Sequence, residues 1–232
     1  MLEPIPETRE ALAELVSMED PQVDEMLARM ARRASAIVPE LVGLSLGLVE
    51  EGLTLTLVAT NSVVASIDAI QYLDDGPCLE ALRDTEVVET TVEALLDEER
   101  WRLFAEASAA AGVASTLSMP IMSGDQVIGG VNMYASTADA FTGHYEELGL
   151  ALHGDATAAI ANADLSFSTR LQAAQAPQHL RDTQTIDTAV GLLAGRLGRA
   201  VDEARELLRH AAARAGITET LVAQVLILTT PV

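Results

Sequence analysis

The hydrophobic period of this chain changes at one place, and that change limits what it can fold into. From Pro21 the apolar residues Val23, Met26, Leu27, Met30, Ala34 and Ile37 recur at three and four, the spacing of one helix face, and Pro39 closes the run. A few residues later Leu44, Leu46 and Leu48 alternate with Ser45, Gly47 and Val49. "EEG" then makes a turn and "LTLTLVAT" alternates again. Period two on both sides of a short turn is a β-hairpin. A chain that passes directly from a helix into a hairpin builds an antiparallel sheet with helices laid on it, not a βαβ repeat.

The rest of the chain extends that reading. "SIDAIQYLDDGPCLEALRDTE" reads as helix, loop and short helix, with "DDGP" as the loop signal, and "VVETT" reads as a short strand. "DEERWRLFAEASAAAG" reads as a helix with acids in its first turn and glycine at its end. "VASTLSMPIMSGDQVIGGVNMYAS" is a second hairpin, turning at "SGDQ". A long helix is expected from about residue 143 to 175, its apolar stripe carried by Leu148, Leu152, Ala156, Ala159, Ile160 and Ala163. The order predicts an α+β domain with an antiparallel sheet and flanking helices.

Composition narrows the function classes. Nearly half of the 232 residues are apolar, enough for a sizeable core. No apolar run approaches the roughly 20 residues of a membrane helix, and the acidic "MLEPIPETRE" start is unlike a secretory signal. Cys78 is the single cysteine, which fits a reducing cytoplasm. The net charge is −21, and every basic residue is arginine. All of that charge falls in residues 1–180; residues 181–232 hold six acids and six arginines. Global acidity disfavours non-specific nucleic-acid binding. A locally neutral tail, screened beyond about 8 Å at physiological salt, leaves room for a local site.

The stretches "IDAIQYLDDGPCLEAL", the helix around Trp101, "STLSMPIMSGDQVIGGVNMYAS" and "AFT" resemble a GAF domain over residues 22–165, preceded by an arm at 1–21. The resemblance implies a sensor domain with a small-molecule ligand between the sheet and its covering helices. Tyr72, Cys78, Trp101, Met119 and Met133 are the expected pocket residues. From the residues alone, Cys78 reads first as a small buried residue, and Trp101 with Phe104 as core.

After "APQHL" a second unit begins, at 176–232. Ile186, Ala189, Val190, Leu192, Leu193 and Leu197 lead to Gly198. Val201, Ala204, Leu207, Leu208, Ala211 and Ala215 lead to Gly216. A third helix starts near Thr218. So small a unit buries little apolar surface alone, and support is expected from the long helix or a second chain. Arg181, Ala189–Leu193, Arg196, Asp202–Ala204, Leu207–Arg209, Ala211 and Val222–Ala223 resemble an ANTAR domain, a three-helix RNA-binding module of bacterial antitermination regulators. The resemblance implies hairpin RNA as partner, with Arg181, Ala189, Gly191, Arg196, Arg205, Arg209 and Arg214 as the RNA-binding set. A homodimer is expected to join through the long helix at 143–175, whose apolar stripe exceeds what one small domain needs. The chain departs from the family at Val190, Ala200 and "AGIT", where positive or polar residues are common, and at Glu219, where an apolar residue is expected.

Spacing alone leaves the arginines open. Arg205 and Arg209 share a helix face, and Arg196 and Arg199 lie three apart, but Asp202, Glu203 and Glu206 are near enough to pair with them. No catalytic constellation is present: "GLLAGRLG" lacks the G-K-[ST] ending of a phosphate loop. His144 and His153 are nine apart, outside metal-ligand helical spacing. No cofactor, metal or enzymatic activity is expected. Two functions remain: a cytoplasmic RNA-binding regulator, or a ligand-binding or protein-interaction module whose second unit has lost RNA affinity.

Overall fold

The computed structural model describes residues 21–50, 52–97, 100–161 and 180–229. The expected N-terminal arm, the break at Pro177 and the end of the long helix beyond 161 lie outside these residues. The elements are helix α1 (Pro21–Ile37), strands β1 (Leu41–Glu50) and β2 (Leu53–Ala59), helices α2 (Ser62–Asp74) and α3 (Pro77–Asp84), strand β3 (Val88–Thr91), helices α4 (Val92–Asp97) and α5 (Arg102–Ala110), strands β4 (Ser115–Ser123) and β5 (Gln126–Ala135), and helices α6 (Tyr145–Ala161), α7 (Leu180–Leu197), α8 (Val201–Ala215) and α9 (Glu219–Thr229). The fold is α+β, as the change of period predicts.

The five strands form one antiparallel sheet in the order β2-β1-β5-β4-β3. Residues directly opposite on neighbouring strands share a face. Leu44 and Leu117 both face Met133 across the ladder, and Leu46 and Met119 both face Val131. These side chains form one core with α1 and α6, through Met30, Ala34, Leu148, Leu152 and Ala156. The other face pairs Ser45 and Ser118 with Asn132, Thr116 with Tyr134, and Gly47 with Thr56. It is covered by α2 and α3, with α5 beyond.

The three C-terminal helices pack on the outside of that second layer. Ile186, Ala189, Val190, Leu193, Leu208, Val222 and Leu226 join Val64, Ile67, Ile70, Leu73, Phe104 and Ala107 in a single core. The support expected from the long helix or a second chain thus comes from α2 and α5. A further difference concerns the Trp101 helix. It begins at Arg102, with Trp101 as its N-cap in the left-handed region (φ 49°, ψ 47°), so the acids before Trp101 are not in its first turn. A left-handed tryptophan cannot continue a helix. Gly198 (φ 62°) and Gly216 (φ 67°) end α7 and α8 in the conformation glycine adopts most easily.

Candidate functional site

The polar face of the sheet meets a polar stripe on α2. Asp68, Gln71 and Tyr72 stand at i, i+3 and i+4, so they project from one side of the helix, and all three are buried. Asp68 is the centre. Its Oδ1 accepts from the Tyr134 hydroxyl and from Asn132 Nδ2 at 3.4 Å; its Oδ2 accepts from Thr56 Oγ1 at 2.9 Å. The Thr56 proton is committed to Asp68, so the Tyr72 hydroxyl donates to Thr56 Oγ1, 2.8 Å away. Asn132 Nδ2 also donates to Ser45 Oγ at 3.2 Å and its Oδ1 accepts from Ser118 Oγ at 3.0 Å. Gln71 Nε2 donates to the Tyr134 hydroxyl at 3.2 Å. A buried carboxylate needs such a set of donors, because desolvation disfavours its charge.

Burial raises the pKa of Asp68 above the ordinary carboxylate value, while the bonds from Tyr134, Ser45, Thr56 and Asn132 pull the other way. Burial, and then the Asp68 charge, push both Tyr72 and Tyr134 up, so both remain neutral phenols. Cys78 is pushed up to about 12 by burial and by Asp68. It is a buried thiol with no nucleophilic character at neutral pH. The loop into α3 closes over this network. Gln71 Oε1 accepts from the Cys78 amide at 2.9 Å. A Cβ at Gly76 would lie 2.5 Å from that same oxygen, so "DDGPC" requires glycine there.

One residue of the C-terminal unit reaches this network. Arg214, in the last turn of α8, places its guanidinium carbon 4.0 Å from the centre of the Tyr72 ring, and its Nε donates to the Thr54 carbonyl at 2.8 Å. Burial lowers its pKa. A second tie joins Arg196 of α7 to Glu106 of α5, at 2.6 Å; Arg102 pairs with the other oxygen of Glu106 at 3.1 Å. A groove of about 200 Å³ between α2, α5 and α9 is lined by Val63, Ser66, Ala107, Ala111, Val225 and Leu228 among others.

Comparison with known families fits this geometry. The model of the GAF domain matches residues 21–161, more than half of the chain. The chain belongs to the GAF-domain family. The model of the ANTAR domain matches residues 174–227, so the protein is a GAF and ANTAR domain-containing regulator. No protein of curated function matches the sequence. Among solved structures, the fold is similar to a domain of a two-component sensor histidine kinase protein from Sinorhizobium meliloti (17% identity, 63% of this chain and 96% of that one, TM-score 0.43). It is also similar to the type II free methionine-R-sulfoxide reductase of Thermoplasma acidophilum (16%, 60% and 93%, TM-score 0.40) and to Escherichia coli SdiA (14%, 96% and 96%, TM-score 0.47). No single helix among the described residues is long and apolar enough to cross a membrane.

The expected pocket residues do not line one cavity. Tyr72 and Cys78 belong to the polar layer of the GAF domain, and Trp101 packs in the core on that side. Met119 and Met133 point to the opposite face, into the α1–α6 core. The pairing of strands fixes this parity: Ser118 and Asn132, one residue away, face the helices that cover the polar layer. Asp68, Gln71, Asn132 and Tyr134 were not among the expected site residues. For Asp68 and Gln71 the signal in the sequence was a polar i, i+3, i+4 set with Tyr72 on a largely apolar helix; Asn132 and Tyr134, on β5, carried no such signal.

The ANTAR arginines separate in the same way. Arg214 faces the GAF domain, and Arg196 is spent on Glu106 of α5. Ala189 is wholly buried inside the unit, whereas Gly191 is exposed. The side chain of Arg181 lies outside the described ones. Arg205 pairs with Asp187, Arg209 with Glu206, and Arg199 lies 3.9 Å from Glu203. Glu219, half-buried at the start of α9, adds a further carboxylate. Burial raises its pKa, against the pull of Arg209 and Arg205.

Proposed function

We propose that the protein is a cytoplasmic, signal-responsive RNA-binding regulator that acts by transcription antitermination. Residues 22–165 would serve as the sensor and dimeriser and 176–232 as the unit that holds hairpin RNA. The observation that carries this reading is the shared core of the two domains. With the ANTAR helices packed on α2 and α5, any signal that moves those helices moves the RNA-binding unit. In this arrangement Arg196 and Arg214 face the GAF domain and are withheld from RNA, so the structure is read as the closed form. The exposed face of α6, with Leu150 88% exposed beside Gly149 and Gly154, supports dimerisation through that helix.

A second reading has its own observation. Arg199, Arg205 and Arg209 each have a carboxylate partner within the ANTAR unit, and Glu219 adds negative charge beside two of them. That pattern favours an interaction module without RNA affinity. A mobility-shift titration with a double-hairpin RNA separates the two. RNA binding requires a shift that weakens steeply with salt and is reduced in Arg205→Ala and Arg209→Ala, because phosphate contacts release counterions. No shift at low salt with several hairpins leaves the interaction module standing.

A further inference from the structure

We propose that the slot holding Arg214 is a binding site for a small organic cation of the alkylguanidinium class, with Arg214 as its built-in occupant. A free cation of that class competes with Arg214 and loosens the ANTAR unit. The site itself does not depend on RNA binding; only the downstream consequence rests on the function proposed above.

Three elements of the GAF domain make the slot. The face of the Tyr72 ring attracts a cation through its quadrupole. The carbonyl of Thr54 lies on β2, the edge strand of the sheet, where backbone acceptors are open to partners. The third element is the buried Asp68, whose carboxylate is linked through Thr56 to the Tyr72 hydroxyl. These parts are held from within the GAF domain. Tyr72 is fixed by its hydroxyl bond, Thr56 by Asp68, and Thr54 by its pairing with Val49. The slot therefore keeps its shape when Arg214 leaves, which is what pre-organises a site for a free ligand. A planar, weakly hydrated guanidinium suits a flat ring and a carbonyl better than a compact ammonium does. Arg214 comes from 160 residues away in sequence. It is the only group from the ANTAR unit seen, among the described residues, in the hydrogen bonds and cation–π contacts of this slot. The carboxylate of Asp68 is held by Thr56, Asn132 and Tyr134, all from the GAF domain.

The test uses the full chain, with ethylguanidinium chloride as probe and sodium chloride at equal ionic strength as control, well below denaturing concentrations. Amide exchange in α8 and the melting temperature are read together. Arg214→Ala empties the slot and should speed exchange in α8. Ethylguanidinium should then bind saturably, raise the melting temperature and restore α8 protection. Adding Tyr72→Leu to Arg214→Ala should abolish that rescue. In the wild type the tethered arginine acts at an effective concentration of millimolar order. The probe should therefore need a higher concentration than in Arg214→Ala, and should speed α8 exchange instead of slowing it. The wild-type arm stands even where Arg214→Ala folds poorly. The proposal is overturned where ethylguanidinium does no more than sodium to both proteins, or rescues Arg214→Ala equally with and without the Tyr72 ring.

Discussion

The two faces of the GAF sheet are built from the same strands and follow opposite rules. On one, Leu44, Leu46, Leu117, Met119, Val131 and Met133 meet α1 and α6 in an apolar core. On the other, one residue out of step, Ser45, Thr56, Ser118, Asn132 and Tyr134 meet Asp68 in a buried polar network. The apolar face is held by packing, which tolerates one apolar side chain for another of like volume but not a change of volume. The polar face is held by bonds that must all be made, because an orphaned buried donor costs more than its bond contributes. The ANTAR unit is fastened on the polar side, where Arg214 reaches Tyr72. The face with discrete, breakable partners is thus the face able to report a change.

The difference can be broken from either side. The largest effect belongs to the apolar face: Leu117→Ala or Met133→Ala should cost about 2–5 kcal/mol in urea unfolding, with α8 exchange unchanged relative to global stability. Next, Asp68→Ala should cost about 1–3 kcal/mol in all, since Asn132 keeps Ser45 as a partner and the freed hydroxyls are rotatable. Asp68→Asn keeps one acceptor for Tyr134 and supplies a donor toward Thr56, so its loss should be much smaller. Equal losses in the two variants would contradict a network held by its bonds.

The pH dependence follows from the raised pKa of Asp68. The folded protein takes up this proton at a higher pH than the unfolded chain does. The stability contributed by this group therefore rises as pH falls from neutrality through the folded pKa, and levels off below the unfolded value near 3.8. Urea melts of wild type and Asp68→Asn across that window should differ with this sign. A small global effect is expected for Arg196→Ala, because Arg102 still pairs with Glu106, yet it should selectively loosen α7, seen by amide exchange. Cys78 supplies an independent probe: with its thiol pushed up to about 12, iodoacetamide at pH 8 should label it only as fast as the domain opens.

Much of this fold was legible because its periods are clean. The switch at residue 41, the turns at "EEG" and "SGDQ", and the glycines at 198 and 216 locate helices and hairpins directly. The site was harder to read, for a physical reason. Alternation shows that two faces exist, but not that the polar one is also covered. Ser45, Ser118 and Asn132 look like solvent-facing residues until α2 is laid over them. Large apolar residues such as Met119 and Met133 look like pocket walls until strand pairing turns them to the other side. The fate of the arginines was least legible of all. Whether Arg214 meets RNA, solvent or Tyr72 depends on how two units dock, and docking is not written in the period of either one.

The most direct test of the docked ANTAR unit is the affinity of the full chain for a fluorescent double-hairpin RNA, measured by anisotropy at fixed salt in wild type and in Tyr72→Leu/Glu106→Gln, which removes the GAF-side partners of Arg214 and Arg196. Undocking frees the unit while leaving every ANTAR arginine in place. The expected result is binding at least about tenfold tighter in the double variant, a gain of about 1.4 kcal/mol. Equal or weaker binding in the double variant would contradict docking as the restraint on RNA.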